Sequence, residues 1–185
     1  MDASDLQDVF AVVARQLPAA GVDFLLVGGF AVNHYGYVRA TLDVDFMIAA
    51  EDSDTVHGTM VEAGFTNFSR HEVVAFYNRP GTALRVDFLQ VDSLTIQTMV
   101  QGAEPVEVRG CTLYVPALRN VLAMKLFAAA NGGPERTDKD LPDVAHLAVL
   151  NDLEPERDLR PLCEQYASLT TYEELCKRIR QLTDL

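Results

Sequence analysis

At 185 residues with a formal net charge of −12, the chain is long enough for one domain, or one domain with a helical extension, and too acidic for a broad nucleic-acid-binding surface. Its 49% hydrophobic and 23% charged residues suit a globular protein with an ample core, and no apolar run approaches the ~20 residues a membrane helix needs. Three widely spaced cysteines, Cys111, Cys163 and Cys176, match neither a disulfide framework nor a metal-ligand pattern; with an acidic N-terminus that lacks a signal-peptide pattern, they predict a cytoplasmic location.

Ser4 or Asp5 can cap a first helix running to about Leu17, with Leu6, Val9, Phe10, Val13 and Leu17 along one side and Pro18 and Gly21 bounding its exit. The uninterrupted apolar run 22–27 reads as a buried strand. Gly28 and Gly29 then make a turn into a short helix ending near Tyr35, and a second strand carries Asp43 and Asp45. Residues 51–63 read as a helix ended by Gly64, and 65–69, 72–78 and 83–90 as short strands, the last carrying Asp87. Residues 106–108 and 111–115 suggest a hairpin around Arg109-Gly110. From Pro116 the texture turns helical: 118–130 up to a stop at Asn131-Gly132-Gly133-Pro134, 138–150 with Pro142 in or near the first turn, then 155–166 and 172–182. This divides the chain into a core of residues 1–115 and a helical C-terminal region of residues 116–185.

Side chains alternate across a strand, so Asp43 and Asp45 project together while Val44, Phe46 and Ile48 face the other way. Two carboxylates on one face of a core-forming strand are unfavourable unless a cation lies between them. A divalent ion with oxygen ligands is the simplest candidate. The bland reading is a solvated strand face; Gly28-Gly29 upstream and Asp87 downstream argue against it, because they add a backbone that approaches a ligand closely and a third carboxylate. Lys125 is the one charge in VLAMKLFAAA, so its ammonium either snorkels to water or meets a fixed anion. Arg39 can pair with Asp43 or Asp45 or hold a phosphate.

The order apolar-Gly28-Gly29, thirteen intervening residues, then Asp43-Val44-Asp45, with Asp87 on a later strand, resembles the signature of the nucleotidyltransferase superfamily related to DNA polymerase beta. With Tyr35-Gly36, Arg39 and Thr41 added, the string is most similar to small bacterial nucleotidyltransferases of the AbiEii type, over residues 24–146. The segment Lys139-Asp140-x-x-Asp143 resembles that group too, although acids in a first helical turn have an ordinary capping role. The resemblance implies an α+β nucleotidyltransferase fold, a mixed sheet flanked by helices, with the C-terminal helices completing the cleft.

It further implies that Asp43, Asp45 and Asp87 are metal-binding and catalytic, holding two Mg2+ ions or Mn2+, and that Gly28, Gly29, Arg39, Lys125 and Lys139 bind the nucleotide. The implied reaction moves a nucleoside monophosphate from an NTP such as ATP to an acceptor hydroxyl, in a toxin–antitoxin or resistance setting. RNA such as a tRNA 3′ end, a protein hydroxyl and a small hydroxylated molecule remain open as acceptors, as does a cognate antitoxin or toxin partner. The rival reading is a non-catalytic protein of the same fold that binds a partner as antitoxin or scaffold. A third is a structural metal-binding domain. The three aspartates are expected to lie close together with no protein cation assigned to neutralise them all.

Overall fold

The computed structural model describes residues 3–184, with side chains from Asp8 onward. The side chains of the proposed caps Ser4 and Asp5, and of Leu6, lie outside what is described. The chain divides into two compact units: residues 1–31 with 40–117, and residues 32–39 with 118–185. The architecture is mixed α+β, a five-stranded sheet and a hairpin in the first unit and a helical second unit.

The first unit begins with α1 (Ala3–Ala19), β1 (Phe24–Leu26) and the opening of α2 (Gly28–His34). It continues through β2 (Asp43–Ala49), a 3-10 turn, α3 (Ser53–Glu62), β3 (Asn67–Arg70), β4 (Val74–Asn78) and β5 (Arg85–Val91). Then come α4 (Ser93–Gln101) and the two-stranded β6 (Glu104–Val108) and β7 (Cys111–Val115). The sheet order is β1-β2-β5-β4-β3, and only the central β2–β5 pair is parallel. That pair sets Asp43 opposite Arg85, Asp45 opposite Asp87 and Phe46 opposite Phe88. Alternation sends Phe46 and Phe88 to a fully buried face, where their rings stack at 5.4 Å and Phe10 and Tyr77 meet them edge-on. The polar residues 43, 45, 85 and 87 therefore share the opposite face of the same two strands.

The second unit contains the end of α2, the loop up to Arg39, α5 (Leu118–Asn131), α6 (Pro134–Leu150), a π turn over Pro155–Leu159, α7 (Arg160–Tyr166) and α8 (Leu169–Thr183). α5 packs on α6 and α7, and α8 on α6, around Val121, Leu122, Leu126, Leu141, Val144, Leu147 and Leu175.

Several expected boundaries move. α5 stops at Asn131 as expected, but α6 opens at Pro134, ahead of the expected start near Asp138, because Gly133 at φ 78° reverses the chain and proline at N1 has no N–H to satisfy. Pro142 consequently falls mid-helix. The helix α4, absent from the sequence reading, is capped by Asp92, whose carboxylate accepts from Thr95 N at 2.9 Å and from Thr95 Oγ1 at 2.6 Å. Ser168 caps α8 and starts it earlier than expected, accepting from Thr171 N. β1 is shorter than the apolar run that foretold it, and α1 continues through Pro18.

Candidate active site

Oxygen atoms of Asp43, Asp45 and Asp87 all lie within 4.8 Å of one another. The parallel register produces this: each strand contributes alternate side chains to one face, and Asp45 and Asp87 are direct neighbours across it. Asp87 is buried, with 6% of its surface exposed, while Asp43 and Asp45 are half-buried. Burial, together with the charges of Asp45 and Asp43, pushes the Asp87 carboxyl up to about 6 against the opposing pull of Arg85.

Arg85 is the residue the sequence reading missed. Its Nε donates to Asp87 Oδ1 and its Nη2 to Asp87 Oδ2, both at 2.8 Å, and Nη2 also reaches Asp43 Oδ2 at 2.9 Å. The guanidinium lies over the Phe76 ring, 5.1 Å from its centroid. The sequence assigns no cation to all three acids, and this arginine grips two of them, Asp43 and Asp87. The signal was present in the spacing, since Arg85 and Asp87 are two apart on one strand and must share a face.

The glycine pair is explained by what stands against it. A side-chain carbon on Gly28 would come to 1.9 Å from Asp45 Oδ2, and Gly28 has a φ of 60°. On Gly29 it would come to 2.7 Å from Thr41 Oγ1. Gly28 thus leaves the space that the Asp45 carboxylate fills, and Gly29 the space of the Thr41 hydroxyl. Thr41 Oγ1 in turn donates to Asp43 Oδ1 at 3.0 Å and Asp43 O at 3.2 Å, orienting that carboxylate.

The second unit holds its own charge cluster. Arg39 clasps Asp143 through Nε and Nη2, each at 2.7 Å, and Asn33 fixes the Arg39 backbone by accepting from its N–H and donating to its carbonyl. The Lys125 ammonium meets Asp140 Oδ1 at 2.5 Å and Asp143 Oδ2 at 2.9 Å, with Asp140 and Asp143 nearly inaccessible to solvent. The fixed anion that Lys125 required is therefore this aspartate pair. Burial alone would raise Asp143, but the Arg39 hydrogen bonds and the Lys125 charge win and hold it below the usual carboxylate range. Tyr37 stacks flat on His146, centroids 4.0 Å apart, and the His146 ring nitrogen Nδ1 is 2.8 Å from Pro142 O. Lys139 is exposed on α6.

Residues 11–170 match the family model described as nucleotidyl transferase AbiEii toxin, type IV TA system. The chain belongs to the AbiEii nucleotidyltransferase family. No curated protein sequence matches it. Among solved structures, an antigenic nucleotidyltransferase-like protein from Paracoccidioides brasiliensis is similar over 100% of this chain and 93% of that one, at 18% identity and a TM-score of 0.60. The antibiotic-resistance factor ANT(2'')-Ia is similar over 100% of this chain and 95% of its own, at 14% identity and a TM-score of 0.59. The lincosamide antibiotic adenylyltransferase LnuA, lincomycin-bound, is covered over 96% of its length by 78% of this chain, at 12% identity and a TM-score of 0.55. At these identities the likenesses establish the nucleotidyltransferase fold of this AbiEii family member. None of its described helices is long and apolar enough to cross a membrane.

Proposed function

We propose that the chain transfers a nucleoside monophosphate from an NTP, with ATP as the first candidate, to an acceptor hydroxyl, using divalent metal ions held by Asp43, Asp45 and Asp87. The carrying observation is the convergence of the three carboxylates within 4.8 Å. The donors are all hard oxygens, as Mg2+ or Mn2+ requires, and Gly28 keeps clear the space beside Asp45 that any side chain would fill. When bound, one or two such ions supply charge neutralisation for the triphosphate and acidify the attacking hydroxyl.

The chain's own residues do the rest. Asp87, buried beside the other two carboxylates, is the proposed base that takes the proton of the attacking hydroxyl on a carboxylate oxygen. The acceptor oxygen then bonds to the α-phosphorus as the bond to the bridging oxygen breaks and pyrophosphate leaves. Thr41 orients Asp43, and Gly28 and Gly29 give the Asp45 carboxylate and the Thr41 hydroxyl the room they occupy. Arg39, Lys125 and Lys139 are the proposed cations for the nucleotide phosphates, the first two only in exchange for the carboxylates they now hold. Catalysis of this kind rests on positioning and charge neutralisation.

RNA, a protein hydroxyl and a small hydroxylated molecule are the three acceptor classes, and a cognate antitoxin is the proposed partner. The names of two structural neighbours, an antibiotic adenylyltransferase and an antibiotic-resistance factor, favour testing a small molecule first. The experiment incubates the protein with Mg2+ and each α-labelled NTP in a cell extract separated afterwards into RNA, protein and small molecules. Label is expected in one fraction with the parent and in none with Asp45→Asn. Equal labelling by both proteins, or by neither, overturns the proposal.

A further inference from the structure

We propose that Arg85 is the resident counter-cation of the acidic cluster: it neutralises Asp43 and Asp87 in the metal-free chain and must be displaced for a divalent ion to bind them. The inference rests on the reading of Asp43, Asp45 and Asp87 as the metal site. Its own evidence is geometric. The arginine fork uses both oxygens of Asp87 and one of Asp43, so the groups that would face the ion are already engaged by a guanidinium. Such a bidentate, charge-assisted pair is the strongest form the interaction takes.

Two further features mark Arg85 as exchangeable. Its side chain is 48% exposed, against 9% for that of Asp87, so the guanidinium can turn to water, and the buried Asp87 carboxylate it leaves is the group the ion would take up. Its guanidinium already lies over Phe76, a flat apolar surface at the edge of the site that a displaced arginine can still use. Arg85 also stands opposite Asp43 on the parallel ladder, which places one cation in a quartet otherwise made of aspartates. Nature of the groups then sets the sign of its effect. A cation competes with a cation for the same oxygens, whereas a residue that merely positioned Asp87 would help metal bind. Removing Arg85 should therefore tighten metal binding and weaken the metal-free fold, because the acids are left to repel one another.

The test is calorimetric titration of MnCl2, and separately MgCl2, into the full chain, comparing the parent with Arg85→Gln, Arg85→Lys and Asp45→Asn, alongside thermal melts in chelator. Arg85→Gln keeps a polar donor on a shorter side chain but loses the charge, and Arg85→Lys keeps the charge but loses the fork. Metal affinity is expected to rise about tenfold in Arg85→Gln and less in Arg85→Lys, with the melting temperature in chelator falling in the same order, each ratio read directly from the titration. Asp45→Asn should lose binding. Unchanged or weaker affinity in Arg85→Gln, with the parent binding normally, overturns the role of Arg85 and leaves the metal site standing. Absence of binding in every protein overturns the metal site and the inference with it. Should Arg85→Gln fail to fold, Arg85→Lys carries the same comparison, tighter binding supporting the competition and weaker binding overturning it.

Discussion

Asp87 in the first unit and Asp143 in the second are both buried aspartates held in a two-pronged grip by an arginine, at 2.8 Å and 2.7 Å respectively. Their carboxyls nonetheless move in opposite directions, Asp87 up to about 6 and Asp143 below the ordinary range. The arginines do not explain the difference. Around Asp87 burial is the leading influence and two further carboxylates, Asp45 and Asp43, add to it. Around Asp143 burial acts the same way, but a second cation, Lys125, stands 2.9 Å from Oδ2, which Arg39 also holds, and the two cations together reverse the outcome. One cluster sets two cations against its two buried acids. The other gathers three acids around one arginine.

The severest way to break this contrast is to remove Lys125. Lys125→Met conserves volume and apolar packing in α5 but leaves Asp140 and Asp143 buried with their balance lost, so a loss of ~3–5 kcal/mol in chemical denaturation is expected. Asp140→Asn added to it should recover part of that loss. A single variant as stable as the parent would show that the second cluster is not the balanced one.

Asp87→Asn attacks the other side of the comparison. It keeps shape and loses the charge, so nucleotidyl transfer should fall by at least ~100-fold while the metal-free fold is little affected. Transfer within a few fold of the parent would take Asp87 out of the reaction. Gly28→Ala perturbs the same cluster through the backbone. The new carbon would clash with Asp45 Oδ2 and sit at a φ of 60°, so a loss of ~1–3 kcal/mol is expected from melts in chelator. A neutral effect would mean that the Asp45 carboxylate is free to move aside.

The smallest effect is the tilt of stability with pH. Asp87 is raised above its ordinary 3.8, so its contribution is fully present below that value and is lost as pH rises through about 6. Asp143 is lowered, so its contribution is present above the ordinary range and is lost as pH falls through its depressed value. In chelator, the melting-temperature difference between parent and Asp87→Asn should therefore shrink or turn negative from about pH 4 to about pH 6.5, a span of about two and a half units around these values. The difference between parent and Asp143→Asn should instead grow as pH rises from acid. Parallel slopes for the two variants would erase the distinction between the clusters.

Much of this was legible in the chain itself. The Gly28-Gly29 turn, the Asp43/Asp45 strand, the Asp87 strand and the hairpin turning at Arg109 and Gly110, with φ of 52° and 77°, follow from local rules of alternation and turn chemistry. Lys125 was marked by its isolation in an apolar helix, but its partners lie on another helix, and a single sequence does not say which acids a tertiary contact will select. Arg85 escaped for the opposite reason. Its partner Asp87 is local, yet its grip on Asp43 depends on which strand becomes the parallel neighbour. The misplaced start of α6 shows local rules in competition: Gly133-Pro134 reads equally well as the end of one helix and the beginning of the next.

The parallel pairing of β2 with β5 has a consequence in time as well as in space. Parallel neighbours cannot be joined by a tight turn, and here α3, β3 and β4 all intervene between the two halves of the acidic cluster. Closing so long a loop is entropically unfavourable and slow compared with forming a hairpin. As the polypeptide leaves the ribosome, Asp43 and Asp45 emerge with nothing to meet, and the cluster is assembled only when β5 inserts between β2 and β4. A nascent chain arrested before Arg85 therefore carries only two of the three carboxylates of the cluster.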